Sequence, residues 1–466
     1  MSRKKELIFN TIIIGIGKFG TQVLSIFLLP LYTSVLSTRE YGIYDFVWTI
    51  SIFLIPIITL LMEESMFRFL IDAKTDEEKD EIISQVVRYI IKRLLIYTIL
   101  ILFIGVIISK VDIYIALLYI ISGVLMTSIN AILRGFGKIK VYSALNFLNS
   151  VTVIILNIIF ILKLRLGYKS LLYSAIIVNF LCVIFITFKF KIYKSLKFND
   201  KRKLKEMKKY SLPLVPNSIS WATINTSDRL ILTSFMGPSA NGVYAMANKF
   251  PTVMDNIYGF FYTAWKESAA KALKDDDSST FYNNIYDMLK GILFSIVIGM
   301  CACMPFVFNF LIKNEFKDAY IYIPVLLISM FYSNMSGFYG GIFSAYKDTK
   351  IMGYTTLISA IINLIINIIC IRFIGIWAAV GSTLIATFTV YIIRKNRIKN
   401  KITLSYDSIT LTILKVLIAL IVMYSYYSKK IAVNILTLII VLIFCVILNR
   451  KTISLFLNFT KKKLNK

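Results

Sequence analysis

Long apolar segments follow one another along almost the whole chain, separated by short polar stretches. A membrane-spanning helix needs about 20 mainly apolar residues. Fourteen segments come close to or exceed this length, and they lie at about 8–35, 42–69, 86–109, 113–133, 143–163, 168–188, 211–236, 242–266, 284–312, 320–345, 351–371, 376–394, 408–427 and 431–449. The pattern therefore predicts an all-α polytopic membrane protein with about 14 transmembrane helices.

Composition excludes a soluble enzyme. The chain is 58% apolar and 17% charged, with a mean hydropathy of +0.74, whereas soluble domains are about 45–50% apolar and about a quarter charged. It contains no His, which removes the most common general base and metal ligand. The five Cys residues all lie within apolar segments and are best interpreted as small buried side chains. We expect a protein that is not an enzyme, with no catalytic residue, metal site or cofactor.

The basic residues indicate how the chain is oriented in the membrane. The net charge of +28 could suggest nucleic-acid binding, but most of the 53 Lys and Arg residues form short clusters in alternate loops. This distribution follows the positive-inside rule and predicts that both termini are cytoplasmic, with no nucleic-acid partner. One loop, with Lys163, Arg165 and Lys169, goes against the rule. The basic segment 189–209 is interpreted as a cytoplasmic linker or, alternatively, as a helix lying on anionic membrane lipid.

Two halves of the chain resemble each other. Four residues recur at an offset of 200 and three more at an offset of 212, and the matched residues are Thr33, Ser34, Gly42 and Tyr44 with Thr233, Ser234, Gly242 and Tyr244, then Lys138, Ile139 and Tyr142 with Lys350, Ile351 and Tyr354. Six helices precede each repeat boundary, so the repeats are parallel and a pathway between them is expected. We predict an N-terminal six-helix lobe (1–188), a basic linker (189–210), a C-terminal six-helix lobe (211–400) and two additional helices with a basic tail (401–466).

Charged residues within the apolar segments are the candidate functional residues, because each costs at least about 2.5–3.5 kcal/mol near the bilayer centre. We expect a central cavity that binds an anionic substrate through four cations, Lys18, Arg68, Arg229 and Lys249. Four acids would support these cations or bind a coupling ion, and they are Glu63, Glu64, Asp228 and Asp255. In the alternative interpretation, Glu64–Arg68 and Asp228–Lys249 are structural ion pairs between helices.

Several segments resemble the polysaccharide transporter family, which includes the Wzx-type flippases. They are PLYTSVLSTREYGIYD (30–45), MEESMFRF (62–69), LRGFGKIKVYSALN (133–146) and SDRLILTSFMGPSANGVYAMANKFP (227–251). The resemblance covers most of helices 1–12. It implies an alternating-access transporter that moves undecaprenyl-diphosphate-linked oligosaccharides across the bacterial cytoplasmic membrane for O-antigen or capsule assembly. Polysaccharide polymerases or glycosyltransferases would be its protein partners, and H⁺ or Na⁺ its coupling ion.

Three alternative functions make different demands on the sequence. Murein-precursor flippases are similar in helix number and cationic cavity, and they remain an alternative. A drug/cation antiporter of the same superfamily should favour acids and aromatic residues over cations in its cavity. A membrane-embedded polymerase or ligase would need a large extracytoplasmic loop, whereas every predicted outside loop has about ten residues or fewer.

Overall fold

The computed structural model describes residues 26–108, 113–195, 203–273, 277–346, 348–399, 402, 407–428 and 430–454. Within these ranges the chain forms helices joined by short turns, without strands. The α-helices are α1 (Leu29–Val35), α2 (Thr38–Thr59), α3 (Met62–Asp72), α4 (Asp76–Ile108), α5 (Ile113–Gly135), α6 (Ile139–Leu162), α7 (Lys169–Lys189), α8 (Ile192–Ser195), α9 (Leu204–Ser211), α10 (Leu214–Met236), α11 (Pro238–Ala247), α12 (Lys249–Ala272), α13 (Ser278–Leu311), α14 (Ile323–Ala345), α15 (Thr349–Ile374), α16 (Ile376–Ile398), α17 (Ile409–Tyr427) and α18 (Ile431–Leu448). A 3₁₀-helix, Asn314–Tyr322, leads into α14.

The prediction of an all-α polytopic membrane protein is confirmed. Ten helical segments of the described chain are long and apolar enough to cross a membrane. Three more predicted spans form α4, α10 and α12, helices of 33, 23 and 24 residues that carry polar or charged side chains. Most of the predicted first span, including Lys18, lies outside the described residues.

The predicted single span 42–69 is two helices, so this prediction was wrong in detail. α2 begins with a capping box, in which the Ser37 hydroxyl accepts from the Glu40 N–H and the Glu40 carboxylate accepts from the Ser37 N–H. The helix ends at Leu60 and Leu61, which both have left-handed backbone angles (φ 51° and 52°). Left-handed residues interrupt the helical hydrogen-bond series, and the chain resumes as α3 at Met62.

An arginine from a neighbouring helix bonds the carbonyl groups at this break. Arg93 of α4 donates from Nε to the Ile58 carbonyl oxygen (2.6 Å) and from Nη2 to that of Ile57 (2.8 Å). The end of a helix leaves such carbonyls without intrahelical partners, and in a bilayer each unsatisfied group costs several kcal/mol. Arg93 therefore stabilises the broken helix from outside it.

The chain divides into two compact units, Met1–Gly242 and Val243–Lys466. The predicted boundaries of lobes and linker remain a prediction. In the second unit, Asp407 bonds Lys290 of α13 and Lys415 of α17, with both N–O distances at 2.8 Å. Asn449, which follows α18, donates to the Ser295 hydroxyl of α13 (2.8 Å). The two C-terminal helices are thus attached to α13 by polar contacts, while many of their Leu, Ile and Val side chains are exposed, as lipid-facing residues are.

Candidate functional site

An ion pair joins α2 to α10 in the first unit. Arg229 Nη1 lies 2.8 Å from Asp45 Oδ1, and the two side chains are only 14% and 6% exposed. The Arg229 guanidinium also stacks over the Trp48 ring, 5.0 Å from its centroid. Asn241 of α11 donates from Nδ2 to the second oxygen of Asp45 (3.2 Å) and to the Gly42 carbonyl oxygen (3.1 Å). A buried carboxylate therefore holds a largely buried guanidinium within a polar network.

Gly42 and Gly242, the two glycines that the repeat relates, lie beside this ion pair. A Cβ on Gly42 would overlap the Pro238 carbonyl oxygen, and a Cβ on Gly242 would overlap that of Thr38. The contact is reciprocal, since residues from the start of α2 and the start of α11 approach each other backbone to backbone. Small residues permit such close helix approach. The offset of 200 noted in the sequence thus relates two segments that are in direct contact.

A second charged cluster lies at the break between α2 and α3. Arg134 Nη2 of α5 lies 2.8 Å from Glu64 Oε1 and the guanidinium stacks over Phe67 at 4.5 Å. Glu63 is buried, with 5% exposure, and accepts a 3.2 Å hydrogen bond from the Thr59 hydroxyl. Its other oxygen, Oε2, is buried with no hydrogen-bond partner. A carboxylate oxygen in this state is available to a proton or a cation.

A third cation is buried in the second unit. Arg394 of α16 is 7% exposed. Its Nε donates to the Thr355 hydroxyl (2.9 Å), Nη1 to the Ser336 carbonyl oxygen (3.0 Å) and Nη2 to the Thr356 hydroxyl (3.0 Å). These neutral acceptors hold the guanidinium where α14, α15 and α16 pack together. Such a network satisfies the donors without neutralising the charge.

Within the first unit, the predicted site residues have different partners. Arg229 is bonded to Asp45, whereas Arg68 pairs with Asp72 (2.7 Å) on an exposed stretch of α3. The alternative Glu64–Arg68 pair is wrong, because Glu64 bonds Arg134. Three further predicted residues differ in burial: Asp228 is buried, Lys249 half-buried and Asp255 exposed.

Four residues of these clusters were not predicted: Asp45, Arg134, Asn241 and Arg394. Arg134 and Arg394 lie at the ends of the predicted spans 113–133 and 376–394, where basic residues follow the positive-inside rule, and Asp45 lies within the predicted span 42–69. A signal was present for Asp45 and Asn241, since both lie within three residues of the repeat-related glycines Gly42 and Gly242. Within the described ranges, no group of three or more Cys, Asp and Glu side chains could hold a metal ion.

The fold is shared with solved structures of two membrane proteins, a flippase and a multidrug transporter. The structure resembles that of the lipid II flippase MurJ in an inward closed conformation, with a TM-score of 0.71 over 95% of this chain and 100% of that one, at 19% identity. It also resembles an inward-facing multidrug resistance MATE family transporter of the MOP superfamily, with a TM-score of 0.60 over 81% of this chain and 98% of that one, at 14% identity.

Sequence comparison identifies the family. The model of the polysaccharide biosynthesis protein family matches residues 7–266, more than half of the chain, and the chain belongs to this family. It is also 24% identical, over 295 residues, to an uncharacterized membrane protein of Methanocaldococcus jannaschii. That alignment covers 59% of this chain and 68% of the archaeal protein. The resemblance inferred from residues 30–45 and 227–251 is thereby confirmed.

Proposed function

We propose that this protein is a flippase that moves undecaprenyl-diphosphate-linked oligosaccharide repeat units across the bacterial cytoplasmic membrane for O-antigen or capsule assembly. Family membership supports transport in polysaccharide biosynthesis. The observation that carries the proposal is the Asp45–Arg229 ion pair beside the reciprocal Gly42–Gly242 contact. This arrangement is a closure that can be released, with a cation ready to bind the substrate.

Alternating access requires that one end of the pathway is closed while the other is open. Close backbone contact between α2 and α11 closes this end, and the ion pair between α2 and α10 adds an attraction that breaks when α2 separates from α10 and α11. Separation frees Arg229 from Asp45, and a guanidinium binds phosphate oxygens in the same bidentate geometry as it binds a carboxylate. Arg229 therefore exchanges a carboxylate partner for the diphosphate of the lipid-linked substrate.

Other charged residues are assigned supporting roles. Lys18, Arg68 and Lys249 supply further positive charge to the anionic head group as it crosses. Glu63, with one buried oxygen lacking a hydrogen-bond partner, is suited to take up H⁺ or Na⁺, and Asp228 and Asp255 are further candidates. Such coupling would draw the energy for transport from an ion gradient.

Restoration of surface polysaccharide in a strain lacking its own repeat-unit flippase tests the proposal. We expect Arg229→Ala to abolish restoration at a wild-type level of protein in the membrane. The matched control is Arg39→Ala, which removes an exposed arginine from the start of the same α2 helix and should restore fully. Full restoration by Arg229→Ala would contradict the role assigned to the ion pair. Failure of the wild-type protein in every such strain would contradict the substrate class.

A second candidate, a murein-precursor flippase, is favoured by the likeness to the lipid II flippase over 95% of the chain. Both substrates are polyprenyl diphosphates, so the same cations would serve either one. The two candidates differ in the strain that the wild-type protein rescues. Survival of cells depleted of their lipid II flippase would favour the second candidate, and restored surface polysaccharide without such survival would favour the first.

A further inference from the structure

A cavity of about 270 Å³ opens between α15 and α16 in the second unit, and it is lined by Lys350, Ile351, Tyr354, Thr355, Ile393 and Arg397. The two helices form a tight hairpin through Gly375, which has a positive φ of 59°. The beginning of α15 and the end of α16 therefore lie at the same end of the hairpin. This brings together Lys350, from the first turn of α15, and Arg397, from the last turn of α16.

The cavity walls are mostly apolar, and its exposed rim offers an anion three sources of positive potential. Lys350 and Arg397 are both exposed, so their side chains can reach a ligand. The Asp348 side chain does not cap α15, and the first N–H groups of that helix carry partial positive charge. Behind the cavity wall, the buried guanidinium of Arg394 donates to the Thr355 hydroxyl (2.9 Å). The nearby acid, Asp348, is outnumbered by these cations.

An apolar surface continues from the cavity along α15. Tyr354, at the mouth, is 64% exposed, and a tyrosine with an apolar ring and a polar hydroxyl is typical of the membrane–water interface. Four exposed apolar side chains follow at helical spacing on the same face, with exposures of 46–56%: Leu357, Ile361, Ile365 and Ile368. A molecule with an anionic head in the cavity could therefore lay a hydrocarbon chain along this stripe.

We propose that the cavity between α15 and α16 binds the head group of an anionic glycerophospholipid, whose acyl chain lies along α15. Charge complementarity selects the anionic head, and the continuous apolar stripe selects a lipid over a free anion. The site is distinct from the basic segment 189–209 and does not depend on the substrate proposed above. Positive charge at this end of the hairpin also obeys the positive-inside rule. The experiment must therefore distinguish binding in the cavity from a general attraction of anionic lipid to positive charge.

The repeat supplies a matched control. Lys138 at the start of α6 corresponds to Lys350, and Lys189 at the end of α7 lies at the same end of the equivalent hairpin. There, however, Tyr142 packs against the hydrophobic core of its unit instead of lying largely exposed like Tyr354. Lys138→Ala/Lys189→Ala and Lys350→Ala/Arg397→Ala therefore remove the same charge from corresponding places.

Native mass spectrometry of the full-length protein, titrated with dioleoylphosphatidylglycerol or dioleoylphosphatidylcholine, measures the binding. We expect the wild type to prefer the anionic lipid and Lys350→Ala/Arg397→Ala to weaken its binding about tenfold, because each cation near a membrane contributes several-fold in affinity. The Lys138→Ala/Lys189→Ala control should weaken it clearly less, because Tyr142 packs against the core there and leaves no exposed ring beside the two cations. Since Lys350 and Arg397 are exposed, their replacement leaves the packing intact.

Three results would overturn the proposal. Equal losses in the two double variants would mean that the lipid responds only to net charge. Equal affinity of the wild type for both lipids would mean that the cavity does not select the head group. Displacement of the lipid by millimolar inorganic phosphate would mean that the site binds a free anion and that the apolar stripe contributes nothing.

Discussion

Arg229 and Asp45 are 184 positions apart in the chain, yet their side chains form a 2.8 Å ion pair with little exposure to solvent. The pair lies beside the contact between Gly42 and Gly242, which the repeat relates. Arg229 was predicted to bind substrate, and the structure provides it with an anion from within the chain. This internal partner explains how a cation is tolerated in an apolar helix.

Breaking the Asp45–Arg229 pair should destabilise the protein more than removing both charges. We expect Asp45→Leu or Arg229→Met alone to lower stability by about 3 kcal/mol, because each leaves a buried charge uncompensated. The double variant Asp45→Leu/Arg229→Met should recover much of this loss, as apolar replacements of buried ion pairs often do.

Thermal unfolding in detergent, measured together with polysaccharide restoration, checks this prediction. The double variant should unfold at a higher temperature than either single variant and still fail to restore surface polysaccharide. Additive losses of stability in the double variant would contradict an energetic coupling between the two side chains.

Helix positions could be predicted from the sequence because burial in lipid demands long apolar segments, a requirement that is local in the chain. The break at Leu60 and Leu61 could not, since two leucines carry no signal for a left-handed backbone and the nearest proline, Pro56, lies within α2. At the break, Arg93 bonds the carbonyl groups of Ile57 and Ile58, and only the folded structure places it there.

Partners of the charged residues could not be predicted either. Glu64 and Arg68 have the spacing of a helical ion pair. In the structure, however, Glu64 pairs with Arg134 of α5, and Arg68 pairs with Asp72. Tertiary packing decided between partners that were equally plausible by spacing. Arg394 could not be recognised from the sequence for a different reason. An arginine at the end of an apolar segment satisfies the positive-inside rule, so nothing in the sequence indicates that it is buried.

Adding one methyl group to Gly42 should disrupt the contact between α2 and α11. The Cβ of Gly42→Ala would overlap a backbone carbonyl oxygen, which cannot move as a side chain can. We expect a fall of several degrees in the unfolding temperature and a loss of polysaccharide restoration, and Gly242→Ala should behave in the same way.

Gly259→Ala is the control for this substitution. Gly259 also lies within a helix, α12, but a Cβ there would meet open space. Alanine favours a helix over glycine by about 1 kcal/mol, so this variant should be at least as stable as the wild type. Gly42→Ala and Gly259→Ala variants that unfold alike would show that the α2–α11 contact has room for a side chain.

Removing Arg93 should destabilise the helix break. Arg93→Ala deprives the Ile57 and Ile58 carbonyl groups of their donor, and an unsatisfied buried polar group costs about 1–3 kcal/mol. Lys92→Ala, a change at the adjacent exposed position of α4, removes the same charge and should change stability by less than about 0.5 kcal/mol. Unfolding temperatures of the two variants in one detergent provide the comparison, and equal values would mean that the carbonyl groups find other donors.

Attachment of α17 to α13 should weaken in acid. Burial raises the pKa of Asp407, but hydrogen bonds and charges from Lys290 and Lys415 outweigh it and lower the pKa below its ordinary value. An Asp with a lowered pKa in the folded state stabilises the protein fully above its unfolded-state pKa of about 3.9. This stabilisation is lost as the pH falls further, through the pKa of the folded state.

We therefore expect Asp407→Asn to unfold at a lower temperature than the wild type from pH 7 to pH 5, with the difference shrinking below about pH 4. Asp287→Asn is the control, because Asp287 contacts the same Lys290 (3.1 Å) but is 51% exposed, and exposed ion pairs contribute little. A difference between wild type and Asp407→Asn that grows on acidification would contradict the lowered pKa. An equal fall in unfolding temperature for Asp287→Asn would mean that Lys290 needs only some nearby carboxylate. The link from Asp407 to α17 would then make no separate contribution to stability.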